Sequence, residues 1–185
     1  VKILNNKPLC YWVLKSCQES EKIDKIIVAT DSSKYKKIIT NFRFKKLEIY
    51  DREEINSGDF SSTESVILEY IRKFKLSLDS KFLLIQATSP HLTTQEINKM
   101  IEISEKKDSD IVSCVRLKRF LWDKSGTPLN YDIKNRPRRQ DFSGLLVENG
   151  AVYISKVDKI LKSESRVSDD IEVFEMNEDS FFEID

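Results

Sequence analysis

The chain changes its hydrophobic period repeatedly, and this alternation restricts its possible folds more than any other feature. Leu9, Trp12, Val13 and Cys17 have the spacing of a helix with one buried face, and Pro8 suits its first turn. The period then shifts. Lys25-Ile26-Ile27-Val28-Ala29-Thr30 is a β-branched run without polar alternation, as expected of a strand covered on both faces. Asp31-Ser32-Ser33 caps a helix carrying Tyr35, Ile38, Ile39 and Phe42, and Leu47-Glu48-Ile49-Tyr50 reads as the next strand. Ser61-Ser62-Thr63-Glu64 fits a capping box with Ser61 as cap, opening a helix striped by Val66, Ile67, Tyr70, Ile71 and Phe74. Phe82 to Gln86 and Ile111 to Val115 repeat the strand signal around a second capping box, Thr93 with Glu96, and its stripe Ile97, Met100 and Ile101. Such alternation predicts an α/β fold, a mostly parallel sheet with helices on both faces and right-handed crossovers.

The 185 residues suit a single domain, 1–185, with one core of ordinary size. Lys plus Arg number 31 and Asp plus Glu number 31, so no global field favours nucleic acid or an anionic membrane as partner. No apolar run is long enough to span a bilayer, and the first residues do not form a signal peptide. Cys10 and Cys17, on one helix, stand about 10.5 Å apart along its axis, beyond the reach of a disulfide. Cys114 falls in an apolar run. Three buried structural thiols and a cytoplasmic location are the expectation. Residues 116–148 break the alternation with Gly126, Pro128, Pro137, Gly144 and the aromatics Phe120, Trp122, Tyr131 and Phe142. An irregular stretch of that length is functional or reaches a partner. Asn149 to Ile154 resumes a strand, followed by a short helix near Val157 to Lys162 and strands near Ile171 to Met176 and Phe181 to Ile184.

In open parallel sheets ligands bind outside the carboxyl ends of the strands. Gln86-Ala87-Thr88-Ser89-Pro90 follows one such end; its short polar side chains suit hydroxyl or amide groups, and from spacing alone ordinary turn chemistry is the commoner account of them. Arg136-Pro137-Arg138-Arg139-Gln140-Asp141 places three guanidinium groups within four residues, either a grip on a carboxylate or phosphate or a solvated basic surface. Glu183 and Asp185 alternate around Ile184, so on a strand both carboxylates share a face, where they could hold Mg²⁺ or simply meet solvent. His91 is the single histidine, placed in a loop beside Pro90, a poor position for a catalytic base.

In order and spacing, Ile85-Gln86-Ala87-Thr88-Ser89-Pro90, Arg136-Pro137-Arg138-Arg139-Gln140-Asp141 and Glu148-Asn149-Gly150-Ala151-Val152-Tyr153 resemble the N-acylneuraminate cytidylyltransferases, the CMP-sialic acid synthetases, and most closely their animal-type branch. Lys7-Pro8-Leu9, Ile27-Val28 to Asp31, Arg52 with Ser61-Ser62-Thr63, and the closing Glu183-Ile184-Asp185 extend the likeness along the chain. The resemblance implies a Rossmann-like nucleotidyltransferase fold, a homodimer exchanging the 116–148 arm, and formation of CMP-sialic acid and pyrophosphate from CTP and a nine-carbon 2-keto acid with Mg²⁺. It further implies that Asp185 and Glu183 hold the metal, and that Arg52, Ser62 and Thr63 face the nucleotide. Gln86, Ser89 and Tyr153 would face the sugar acid, and Arg139 would serve the partner's site. Relatives begin with a strand and a loop of the type Ala-Arg-Gly-Gly-Ser-Lys-Gly that cradles the triphosphate, and they end in a further helix; this sequence lies between the two, so the 185 residues by themselves are expected to be weak or inactive in catalysis. The alternatives are a 3-deoxy-manno-octulosonate cytidylyltransferase, against which the Arg-Pro-Arg-Arg-Gln-Asp and Glu-Asn-Gly segments speak, and a non-catalytic dimeric module that binds sugar acids.

Overall fold

The computed structural model describes residues 2–56, 61–168 and 170–181. A two-residue turn joins β1 (Ile3–Leu4) to β2 (Lys7–Pro8) in an antiparallel pair. Asn5 and Asn6 both take positive φ there, a backbone that asparagine tolerates and that matches the twist of a hairpin. Pro8 then caps α1 (Leu9–Glu19). The chain continues through β3 (Ile26–Ala29), α2 (Ser33–Thr40), β4 (Leu47–Tyr50), α3 (Thr63–Phe74), β5 (Lys81–Ile85) and α4 (Thr94–Lys107). It closes with β6 (Asp110–Leu117), β7 (Leu145–Lys156), α5 (Val157–Ser163), β8 (Ile171–Met176) and a 3₁₀ turn, Glu178–Phe181. Phe181 therefore ends a turn where a strand was expected, and the rest of that expected strand lies outside the described residues.

The sheet is mixed, which corrects the expectation of a mostly parallel one. β3 and β4 pair in parallel, whereas the larger sheet runs β5-β7-β6-β8, with β7 antiparallel to both neighbours and β8 parallel to β6. A parallel return needs a long crossover, usually helical. Between β6 and β7 the chain runs through residues 118–144 without an α-helix and comes back antiparallel. Ala151 to Ser155 are all buried, so β7 has the covered-on-both-faces pattern of a parallel strand while running the other way.

Strand β5 shows how the layers form. Leu83 and Ile85 pack into a core built from Val13, Leu14 and Cys17 of α1 and Ile97, Met100 and Ile101 of α4. Phe82 and Leu84 point the other way, onto Ile67, Leu68 and Ile71 of α3 and Val157 and Ile160 of α5. Side chains alternate across a strand, so helices on both faces require both sets to be apolar. The β3-β4 pair shares the first core through Ile26, Val28, Leu47 and Ile49, and on its other side Tyr50 meets Tyr70 and Phe74 of α3 edge to face. The two capping expectations divide: Thr93 and Glu96 form the full box, whereas α3 is capped by Ser62, one residue later than expected.

Met100 is fully buried between α1, α4 and the sheet. Met100→Ala is expected to lower stability by about 2–5 kcal/mol, through lost apolar burial and an incompletely collapsed cavity. Urea unfolding should show a lower midpoint at an unchanged slope.

Candidate functional site

The first part of the site forms where β3 and β4 end. Their register sets Ala29 opposite Tyr50, and Thr30 N–H donates to the Tyr50 carbonyl at 2.9 Å. The residues that follow are thereby held side by side. Arg52 donates from its guanidinium to the Asp31 carboxylate, and Lys36 pairs with Asp51 beside it. Asp31, expected as part of a helix cap, is thus an ion-pair partner; the cap of α2 is Ser32, which accepts from Tyr35 N–H at 3.4 Å. The hydrogen bond from Arg52 holds the Asp31 carboxyl below its ordinary value, so at neutral pH the pair is fully charged.

The start of α3 supplies the second part. Ser62 accepts from Ser65 N–H at 3.1 Å, which uses an acceptor site on its hydroxyl and leaves the O–H proton to donate. Ser62 and Thr63 are both exposed. Glu64, expected to close a capping box, instead leaves its own helix and accepts from Arg166 Nε at 2.5 Å.

The third part lies on the face of β5 and β7 that turns toward α3 and α5. Gln86 extends β5 by one pairing, its N–H donating to the Ala151 carbonyl at 3.1 Å. Its carbonyl accepts from Ser89 N–H at 3.3 Å and its side-chain oxygen from Thr88 Oγ1 at 3.4 Å, so Ser89 and Gln86 sit in one tight turn. Alternation puts Gln86 on the face of Leu84, and Leu84 lies directly opposite Tyr153. Tyr153 packs with Leu84, Val112, Cys114 and Val167, donates its O–H to Glu148 at 3.0 Å, and carries the Arg166 guanidinium over its ring at 5.2 Å. Burial, with the Glu148 hydrogen bond adding to it, pushes the phenol up to about 12.

The Glu148-Asn149-Gly150 motif has a structural core. Ser113 Oγ donates to Asn149 Oδ1 at 2.7 Å and accepts from Val152 N–H at 2.8 Å. Asn149 Nδ2 donates to the Ser180 carbonyl at 3.1 Å. Asn149 is buried and shapes backbone; Gly150 takes φ +66° beside it, where a side chain would be strained.

The arginine cluster divides by role. Arg136 stacks over Phe120 at 4.4 Å and Tyr131 at 5.3 Å, inside an aromatic group completed by Phe142 and Trp122. Arg138 and Arg139 are exposed on the arm. Among the described residues of its own chain, no hydrogen bond or ion pair joins Arg139 to Gln86, Ser89 or Tyr153. The arm is also shorter than expected, because β6 reaches Leu117 and β7 begins at Leu145. Its neck requires Gly144: φ is +72°, and an added Cβ would stand 2.5 Å from the Leu117 carbonyl oxygen.

Arg52, Gln86 and Ser89 therefore follow strand ends, Ser62 and Thr63 stand at the start of a helix, and Tyr153 lies within β7 opposite Leu84, while Arg139 is on the arm. Glu183 and Asp185 lie outside the described residues, and among the described ones no group of three or more His, Cys, Asp or Glu side chains could hold a metal ion. No described helix is long and apolar enough to cross a membrane. Burial raises Cys10 and Cys114, and pushes the Cys17 thiol up to about 12, which makes all three poor nucleophiles. Glu64 and Arg166 were missed as site residues, as was the pairing of Asp31 with Arg52: the partners lie 102 and 21 residues apart, and no local spacing signals them.

The family model described as Cytidylyltransferase matches residues 1–178. An N-acylneuraminate cytidylyltransferase of Oncorhynchus mykiss is 34% identical over 163 residues, which are 83% of this chain and 36% of that protein. N-acylneuraminate cytidylyltransferase A of Danio rerio is 33% identical over 168 residues, 86% of this chain and 38% of that protein. The chain spans less than two-fifths of the length of these relatives. Among solved structures, CMP-2-keto-3-deoxy-manno-octonic acid synthetase complexed with CTP shares the fold, with a TM-score of 0.66 at 14% identity over 95% of this chain and 82% of that one.

The Arg166 hydrogen bond holds the Glu64 carboxyl below its ordinary value of 4.5. A carboxylate whose value is depressed by folding stabilises the protein above its unfolded value, and that contribution is lost as pH falls through the folded one. The stability difference between wild type and Glu64→Gln should be present at pH 7, shrink as pH falls below that ordinary value of 4.5 and vanish in stronger acid. Paired denaturation curves across that range test this; a difference that does not change with pH would overturn it.

Proposed function

Because the chain belongs to the cytidylyltransferase family, we propose that it forms the domain that transfers CMP from CTP to N-acylneuraminate or a related nine-carbon 2-keto acid. The oxygen of the acid's anomeric hydroxyl bonds to the α-phosphorus as the bond from that phosphorus to the departing pyrophosphate breaks, and the hydroxyl gives up its proton. The observation that carries this reading is the 34% identity to a protein of that activity across 83% of the chain. The geometry is consistent with it: two groups of polar side chains, one near Arg52 and Ser62 and one near Gln86 and Tyr153, suit two substrates.

Such a displacement needs positioning and charge neutralisation more than covalent catalysis. Arg52, Ser62 and Thr63 are assigned to the nucleotide: a guanidinium and two exposed hydroxyls supply donors to anionic and sugar oxygens. Gln86, Ser89 and Tyr153 are assigned to the sugar acid, a polyhydroxylated partner for amide and hydroxyl groups. Asp185 and Glu183 are assigned to Mg²⁺, a cation that takes oxygen ligands and, when bound, neutralises phosphate charge. Arg139 is assigned to the acid bound in a neighbouring subunit of a homodimer, since its fork matches a carboxylate. Trp122, Leu129 and Ile133 support that assembly: they are 48%, 61% and 58% exposed on the arm, apolar side chains that burial against a second copy would cover. The three free cysteines suit the cytoplasm.

Pyrophosphate release by the complete gene product, with CTP and Mg²⁺ and a panel of eight- and nine-carbon 2-keto acids, tests the proposal. Turnover with N-acetylneuraminate or another nine-carbon acid is expected. Preference for the eight-carbon acid would overturn the substrate assignment, and sugar-acid binding without CTP binding would replace the enzyme with a non-catalytic module. In the active protein, Arg139→Ala should raise KM for the sugar acid by about tenfold or more while KM for CTP moves little. An unchanged sugar-acid KM would remove Arg139 from that role.

A further inference from the structure

Arg166 lies in the irregular segment after α5, 102 residues from the carboxylate it binds. Its Nε donates to Glu64 at 2.5 Å, and its guanidinium covers the Tyr153 ring at 5.2 Å. The ring also packs with Leu84, Val112, Cys114 and Val167 in one apolar cluster, and the phenol tip is fixed by Glu148 at 3.0 Å. The side chains of Arg166 and Glu64 are 21% and 26% exposed, so the pair is largely shielded from water and its geometry is held more firmly than that of a surface ion pair. A continuous chain of contacts thus runs from Glu64, the second residue of α3, through Arg166 and Tyr153 to Glu148 on β7.

That chain joins the two halves of the candidate site. Ser62 and Thr63, at the start of α3, stand on the nucleotide side, while Tyr153 stands on the sugar-acid side with Gln86. A guanidinium can hold both ends because it forms a directed hydrogen bond in its plane and stacks through its face at the same time. Lysine can pair with Glu64 but cannot stack as a plane. We propose that Arg166 is a positioning residue for the sugar acid, clamping the Tyr153 ring against β5 and β6 and tying it to the nucleotide-side helix through Glu64. This inference rests on the proposed cytidylyl transfer and assigns to that site a residue absent from its sequence motifs.

The test uses the complete gene product and measures pyrophosphate release by wild type, Arg166→Ala, Arg166→Lys and Glu64→Gln, with thermal unfolding of each. Arg166→Ala should raise sugar-acid KM by about five- to tenfold, with kcat and KM for CTP within about twofold of wild type. Arg166→Lys should restore thermal stability while leaving sugar-acid KM raised, because the ion pair returns and the guanidinium's cover over the ring does not. Glu64→Gln should raise sugar-acid KM in the same direction. A wild type that turns over substrate while Arg166→Ala leaves sugar-acid KM unmoved overturns this inference alone. It is overturned equally if all three parameters worsen together, or if lysine restores KM along with stability. A wild type without turnover overturns the proposed function and this inference with it.

Discussion

Strand β7 lies between two strands that both run against it, and the irregularity at its centre is what the other parts of the site depend on. Opposite β6, β7 passes from Tyr153 to Glu148 while β6 passes from Val112 to Cys114, so five steps face two. The surplus backbone carries buried polar groups that the ladder cannot pair, and leaving such groups unpaired costs more than a typical hydrogen bond contributes. The Ser113 hydroxyl and the Asn149 amide meet that demand, and the second amide hydrogen-bonding group reaches Ser180 in the closing turn. Bulges redirect side chains. Here the redirection brings Glu148 within reach of Tyr153, five residues later on the same strand.

Charge is handled in pairs throughout the site. Arg52 meets Asp31, and Arg166 meets Glu64. Each guanidinium is therefore oriented before any ligand arrives, and the carboxylate that orients it also tempers its field. The Tyr153 phenol stays protonated across the physiological range, since burial has pushed it up to about 12. It can donate a hydrogen bond or offer its ring, but it cannot serve as a base at neutral pH.

Much of this architecture was legible because hydrophobic period reports local structure directly. The stripe at Ile97, Met100 and Ile101 and the run Ile26 to Ala29 became a helix and a strand within a residue or two of where the pattern placed them. Direction was not legible for β7, because an apolar run encodes burial on both faces and is the same for either polarity. The start of α3 was ambiguous for a similar reason: Ser61 and Ser62 are equivalent acceptors in sequence, and only the backbone decides which hydroxyl reaches an amide. Glu64 shows the deeper limit. Its spacing from Ser61 fitted a local bond, yet a partner brought in by the fold from the far end of the chain claimed the carboxylate. Asp31 and Arg52 were separated by 21 residues and became neighbours only through the β3-β4 register.

The arm between β6 and β7 already has a small interior. Phe120, Tyr131 and Phe142 pack at 4.5 and 4.9 Å between ring centroids, Asn130 braces Leu121 N–H and the Arg119 carbonyl, and Arg136 lies across the rings. Those side chains give up their rotamer freedom when the chain folds. A flexible loop would lose the same freedom on meeting another surface, and that loss would weaken association. In this arm the entropy of arranging the scaffold is charged to folding, so a molecule docking against Trp122, Leu129 and Ile133 need order little beyond those outer side chains.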